Sequence, residues 1–338
     1  MGTSLPDFNT TPMDWGFFCI LLFSLLFVDL WIQRNDHGSS KKEAAIWSCI
    51  WVGIGLAFSL YVHFRWGSEA RNEYLAAYLI EKALSVDNLF VFLLIFGAMK
   101  IPRKFQRTAL AWGILGALVF RAIFIYLGAA ALERWAAVGI IFALLLFYAG
   151  IQAFFAKHSD DEESAIVNWL SKHLPISKNP ETAHFFVHED GKLKMTPILI
   201  SIVALELTDI VFAIDSVPAA LSFSQEVFIV YSSNAFAILG LRALYVLLAG
   251  LIADLKYLHY GLAAVLIFAG LKMVAHSCET LIHLAEVDPN AEVGMTTAIC
   301  QRIPGLEYME IDPLYSIFII LFLIGIAAFA SIVAKKRS

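Results

Sequence analysis

Five carboxylates lie where carboxylates are costly to hold. Residues 203–218, VALELTDIVFAIDSVP, sit inside a long apolar run and carry Glu206, Asp209 and Asp215. An earlier apolar run, YLIEKALSVDNLFVF at residues 78–92, carries Glu81, Asp87 and Asn88. An acid surrounded by hydrocarbon faces a partner or a cavity, and such acids mark ion and proton routes. With Asn88, Ser216, Asn234 and backbone carbonyls they make a hard, all-oxygen donor set. That set suits Mg²⁺, Ca²⁺ or Mn²⁺, whereas copper or zinc would favour Cys and His. No histidine stands among these acids. Arg121 and Arg242 are expected to pair with some of the carboxylates and limit their repulsion when no ion is present. A network of ion pairs that only holds helices together is the bland alternative.

Spacing decides which of these groups can meet. Glu206 and Asp209, three apart, share a helix face. Asp215 falls opposite Glu206 on a regular helix. Pro218 removes one helical hydrogen bond and clashes with the carbonyl of residue 214. A break at residues 214–217 is therefore expected, turning Asp215 toward the site and freeing a carbonyl as a ligand. Glu81 and Asp87 stand about 120° apart on an ideal helix, so local unwinding or a wide cavity is expected there too.

The elements that position these residues follow from composition. The chain of 338 residues is 59% hydrophobic and 16% charged, the composition of a polytopic membrane protein. No basic stripe with interleaved aromatics is present, so nucleic-acid binding is not expected. Apolar runs of about 20 residues, enough to span a bilayer, fall at 14–33, 44–64, 74–98, 108–131, 135–156, 196–222, 227–252, 257–276 and 313–334. The expected fold is thus an all-α polytopic membrane protein of nine helices. Residues 1–14 hold no Lys or Arg, so the basic region of a cleaved signal peptide is missing there. Connections 34–43, 99–107 and 157–195 and the C-terminal Lys335, Lys336 and Arg337 are the basic ones. All lie on one side in a nine-helix count, which the positive-inside rule makes cytoplasmic. The N-terminus is then outside and the C-terminus inside, in a bacterial-type inner membrane.

Two connections are more than turns. In 157–195 an acidic run precedes the amphipathic IVNWLSKHL, and HFFVHEDGKLKM alternates around Asp190-Gly191 as a β-hairpin does. His184, His188, Glu189 and Asp190 are read as solvated hairpin groups rather than metal ligands. The loop 277–312 carries Glu279, His283, Glu286, Asp288 and Glu292, an acidic external surface. Its Cys278 and Cys300 leave a disulfide and two free thiols both open. Cys19 and Cys49, in apolar runs, read as small core residues.

Internal similarity sets the architecture. Arg121 in VFRAIFIYLG matches Arg242 in GLRALYVLLAG at an offset of 121, and Tyr148-Ala149-Gly150 matches Phe268-Ala269-Gly270 at 120. Gly139 matches Gly261, and Asp87-x-x-Phe90 matches Asp209-x-x-Phe212, both at 122. The third to fifth and sixth to eighth helices then form two copies of a three-helix unit. Three is odd, so the copies enter the membrane from opposite sides, as in secondary transporters with a midplane site. The chain divides into two leading helices (1–72), a first repeat (73–156), a cytoplasmic loop (157–195), a second repeat (196–276), an external loop (277–312) and a last helix with a basic tail (313–338).

EKALSVDNLFVF, ELTDIVFAIDSVPA and SNAFAILGLRALYVLLAG resemble the TerC family of integral membrane proteins, particularly its Alx-like branch, over most of residues 40–276. That family belongs to the wider LysE-type exporter superfamily. The resemblance implies Mn²⁺ efflux and puts Glu81, Asp87, Glu206, Asp209 and Asp215 at the family's functional acidic positions. Tellurite resistance, which gave the family its name, has no evident counterpart in these residues, and the long 277–312 loop departs from shorter members. The expectation is a nine-helix exporter of Mn²⁺ working by alternating access, with a divalent cation and the bilayer as its partners. No resident cofactor and no particular oligomeric state are expected. Ca²⁺/H⁺ exchange is the second reading. An accessory scaffold for membrane-protein insertion and an intramembrane aspartyl hydrolase are the others. No GxGD, HExxH or GxSx motif supports the hydrolase, so no enzyme is expected.

Overall fold

The computed structural model describes residues 8–32, 41–99, 101–135, 138–155, 177, 184–189, 192–248, 257–287, 300 and 313–337. The helices are α1 (Pro12–Ile32), α2 (Lys41–Ala98), α3 (Arg103–Arg134) and α4 (Val138–Phe155), then α5 (Pro197–Leu221), α6 (Val227–Ile238), α7 (Leu241–Leu248), α8 (Leu258–Val287) and α9 (Pro313–Arg337). Between α4 and α5 stands a hairpin of β1 (Phe186–Glu189) and β2 (Lys192–Met195), pairing Phe186 with Met195 and Glu189 with Lys192. Its tip at Asp190-Gly191 and the IVNWLSKHL segment lie outside the described residues.

Helices prevail because hydrocarbon offers backbone groups no partner but each other. Among the described residues, seven helices are long and apolar enough to cross a membrane, or eight when the bent pair α6 and α7 counts as one span. The 58 residues of α2 would reach about 87 Å at 1.5 Å per residue, against a hydrocarbon core of about 30 Å. Gly67 divides it, with φ 91° and ψ −173°, a left-handed conformation that suits glycine. Counting its two halves separately is consistent with nine spans. The outward faces are what a bilayer covers: Phe23, Phe27 and Trp31 on α1, Leu144 and Ile151 on α4, and Phe318, Phe322 and Phe329 on α9 are all exposed.

α3 lies along α5, α4 along α8, and α2 against α5, α6 and α7. Gly113 faces Leu205 and Gly128 faces Leu221, so α3 and α5 run parallel. Gly139, Ala143 and Gly150 of α4 meet Ser277, Gly270 and Ala263 of α8 in descending order, so these two run antiparallel. Their contacts are also reciprocal. A Cβ on Gly150 would stand 2.8 Å from Ile267 and 3.1 Å from the Ala263 carbonyl. A Cβ on Gly270 would stand 2.9 Å from Phe147 and 3.3 Å from the Ala143 carbonyl. Each partner is the other's equivalent at an offset of 120, an exchange consistent with the inverted repeat.

Several boundaries differ from expectation. α5 begins on Thr196, whose Oγ accepts from Leu199 N, with Pro197 in the first turn. It then runs unbroken to Leu221, Pro218 included. The break expected at residues 214–217 is therefore absent. Pro218 stands in the last turn, where little helix follows to be displaced, and Ser222 closes the end by donating to Pro218 O and Ala219 O. The interruption lies instead between α6 and α7, which are bent by 44°. α8 continues to Val287, so Glu279, His283 and Glu286 sit on a helix, not in a loop. Cys278 and Cys300 form a disulfide. Cys19 is half-buried, whereas Cys49 is exposed, because its side of α2 faces away from the packed helices.

Candidate functional site

Glu81, Ser85 and Asn88 follow one another at spacings of four and three along α2 and share a face. All three are buried. Arg121 of α3 points at that face from within the protein, 1% exposed. Its Nη1 donates to Glu81 Oε2 at 2.6 Å. Nε and Nη2 donate to Asp209 Oδ2 and Oδ1 at 3.2 and 3.1 Å, the bidentate fork that guanidinium geometry provides. With its amide set to satisfy both ends, Asn88 accepts from Arg121 Nη2 at 3.2 Å and donates to Leu84 O at 3.1 Å. One cation thus joins acids from the two proposed repeats, Glu81 in the first and Asp209 in the second.

Around this centre lie polar atoms without partners. Glu81 Oε1, Ser85 Oγ and both polar atoms of Asn234 are buried and make no hydrogen bond, and Ser216 Oγ, two turns beyond Asp209 on α5, is likewise buried without one. Asn234, on α6, faces Glu81 without a bond of good geometry. Buried polar atoms are almost always satisfied, and a group of orphans at one place is the mark of a polar ligand site. Beside the centre, Glu81 Oε1, Ser85 Oγ and Asn234 Oδ1 can act as oxygen ligands to a hard cation.

The remaining acids of α5 flank this centre. At about 100° per residue, Asp209 and Ser216 lie in the middle of its buried face, while Leu207, Val211 and Ile214 form the exposed stripe behind. Glu206 sits at one edge, its carboxylate against Gly116 of α3 and its Oε2 without a partner. Asp215 sits half-buried at the opposite edge, since the continuous helix does not turn it back. The side chain of Asp87 lies outside the described residues. Among the described residues, no group of three His, Cys, Asp or Glu is assembled to hold a metal ion.

Arg242, which matches Arg121 in the sequence at an offset of 121, takes an acid outside the expected five. Its Nη1 donates to Asp29 Oδ2 of α1 at 3.3 Å, both groups being buried. Asp29 was not among the candidates because it falls near the end of an apolar run, where an acid reads as interfacial. Its place two residues before Trp31, still inside that run, was the available signal. His184 and His188 are exposed, Glu189 bonds Ser177 and Lys194, and Asp190 lies outside the described residues.

Buried ion pairs joining several apolar helices define an integral membrane protein with a polar centre. The comparisons identify which kind. The model of the integral membrane protein TerC family matches residues 66–338, and the chain belongs to that family. An uncharacterized membrane protein of Myxococcus xanthus is 40% identical over 266 residues, covering 78% of this chain and 83% of its own. One of Rickettsia felis is 41% identical, covering 78% and 89%. The putative membrane-bound redox modulator Alx of Escherichia coli K12 is 39% identical over 279 residues, covering 78% and 86%. No solved structure matches.

Proposed function

We propose that the protein exports divalent metal cations, Mn²⁺ foremost, through the polar centre between α2, α3, α5 and α6. The observation that carries this reading is the set of orphaned oxygen atoms beside Glu81 and Asp209. Arg121 bridges the two carboxylates while no metal is bound, offsetting one of their two negative charges. A divalent ion that reaches them takes over that role, gaining Glu81, Asp209, Asn234 and Ser85 as oxygen ligands. Glu206 and Asp215, at the two edges of the buried face of α5, and Asp87 near mid-span of α2 extend the route on either side. Alternating access arises from one three-helix unit rocking against the other. The Lys and Arg distribution supports a path with the N-terminus outside and the C-terminus in the cytoplasm, in a bacterial-type inner membrane.

The test uses proteoliposomes containing only this chain, loaded with Mn²⁺ or Ca²⁺. Asp209→Asn and Glu81→Gln are each expected to lower Mn²⁺ flux at least tenfold while the protein still inserts and purifies. Normal flux in both variants would reduce the centre to a structural ion pair. Absence of flux through the wild type would favour an accessory role. A second reading, modulation of redox state, is favoured by the printed name of the Alx relative and by the Cys278–Cys300 disulfide. Replacing both cysteines by serine separates the two, since it leaves metal flux intact if export is the function.

A further inference from the structure

α6 stops inside the protein, with Ala237, Ile238 and Leu239 at its end all buried. Leu239 leaves the helix at φ −57° and ψ 134°, and Gly240 follows with φ 78°. The chain resumes as α7 after a 44° bend. A Cβ on Gly240 would stand 2.5 Å from the Trp51 side chain, so Trp51 of α2 packs directly on the turn. The last carbonyls of an interrupted helix have no partner in their own ladder, and the aligned peptide dipoles make this end negative. Both the Ala237 and Leu239 carbonyls instead accept from one donor, Lys82 Nζ, at 2.9 and 3.3 Å. Lys82 reaches them from α2, one residue after Glu81 of the carboxylate centre.

Carbonyls at the C-terminal end of a half-helix are what discontinuous membrane helices use to hold small cations. We propose that the break between α6 and α7 is a binding site for a primary ammonium group, and that the Lys82 ammonium is its tethered occupant. The site selects by charge and by donor number, since an ammonium carries three N–H donors and can satisfy two carbonyls at once. While Lys82 fills it, the α6 carbonyls are closed to a free cation and the bend is pinned to α2. Glu81 and Lys82 are consecutive, so any shift of α2 moves the carboxylate centre and this plug together.

Chemical rescue tests it directly. Lys82→Ala removes the portion that n-propylammonium replaces. The purified variant is expected to melt several degrees below wild type and to recover most of that loss in millimolar n-propylammonium chloride. Neither n-propanol, of similar shape without charge, nor tetramethylammonium, charged without N–H donors, is expected to restore it. Equal recovery with either control, or a variant as stable as wild type, would overturn the proposal. Should Lys82→Ala not yield folded protein, Lys82→Met and Lys82→Arg decide the matter. The arginine form, cationic but without a primary ammonium, is expected to melt between wild type and the methionine form, with the methionine form lowest. A methionine form as stable as the arginine form would show that packing of the stem, not the cation, holds the break.

Discussion

Arg121 is the side chain whose loss should disturb the protein most. Its guanidinium is shared between Glu81 and Asp209, all three buried. Removing one partner of a buried ion pair leaves an uncompensated charge and costs about 3–5 kcal/mol. Arg121→Met should therefore fall sharply in folded yield and melting temperature. Combining it with Glu81→Gln and Asp209→Asn should recover most of the loss, because no charge is then left alone. Arg121→Lys should be intermediate, since an ammonium cannot make the two-pronged bond to Asp209. Melting curves of the purified variants would check this, and a triple variant no better than Arg121→Met would show that the arginine acts through packing.

Among the elements, α5 and the α6–α7 pair exchange the roles their sequences imply. Pro218 lies in the last turn of a continuous helix, so Pro218→Ala should leave stability within about 1 kcal/mol, the scale of a compatible proline exchange. Gly240 has a positive φ and Trp51 at its α-carbon. Gly240→Ala should cost more than that, because a side chain is disfavoured at this φ and Trp51 must also shift. The two variants melted side by side give the comparison. A larger loss at Pro218 would return the functional break to α5.

For the whole molecule, the parallel run of α3 with α5 and the antiparallel run of α4 with α8 constrain how the chain threads the bilayer. In a nine-span, alternating path, the hairpin and the Gly67 turn open on opposite faces. With Cys19 and Cys49 replaced by serine and the disulfide kept, His188→Cys and Ser68→Cys, both exposed positions, should react with an impermeant maleimide from opposite sides. The Gly67 side should be external and the hairpin cytoplasmic. Labelling of both from one side would remove the nine-span path and the inverted repeat with it.

Much of this was legible in the amino-acid order alone. Apolar runs long enough to span a bilayer declare helices, because lipid leaves the backbone no other arrangement. Acids and arginines inside such runs declare a polar centre, because each would otherwise be unpaired in hydrocarbon. Glu81, Asp209 and Arg121 could thus be named from their depth. Their partners could not. That Arg121 bridges two helices while Arg242, its match in the sequence, turns to Asp29 of α1 depends on which helices pack together. The place of the break was likewise a tertiary matter. A proline near a helix end can be absorbed where little helix follows it, while an interior glycine becomes a break when Trp51 packs on it and Lys82 supplies donors to the freed carbonyls. Local chemistry names the groups that need partners, and only the packing of distant segments assigns them.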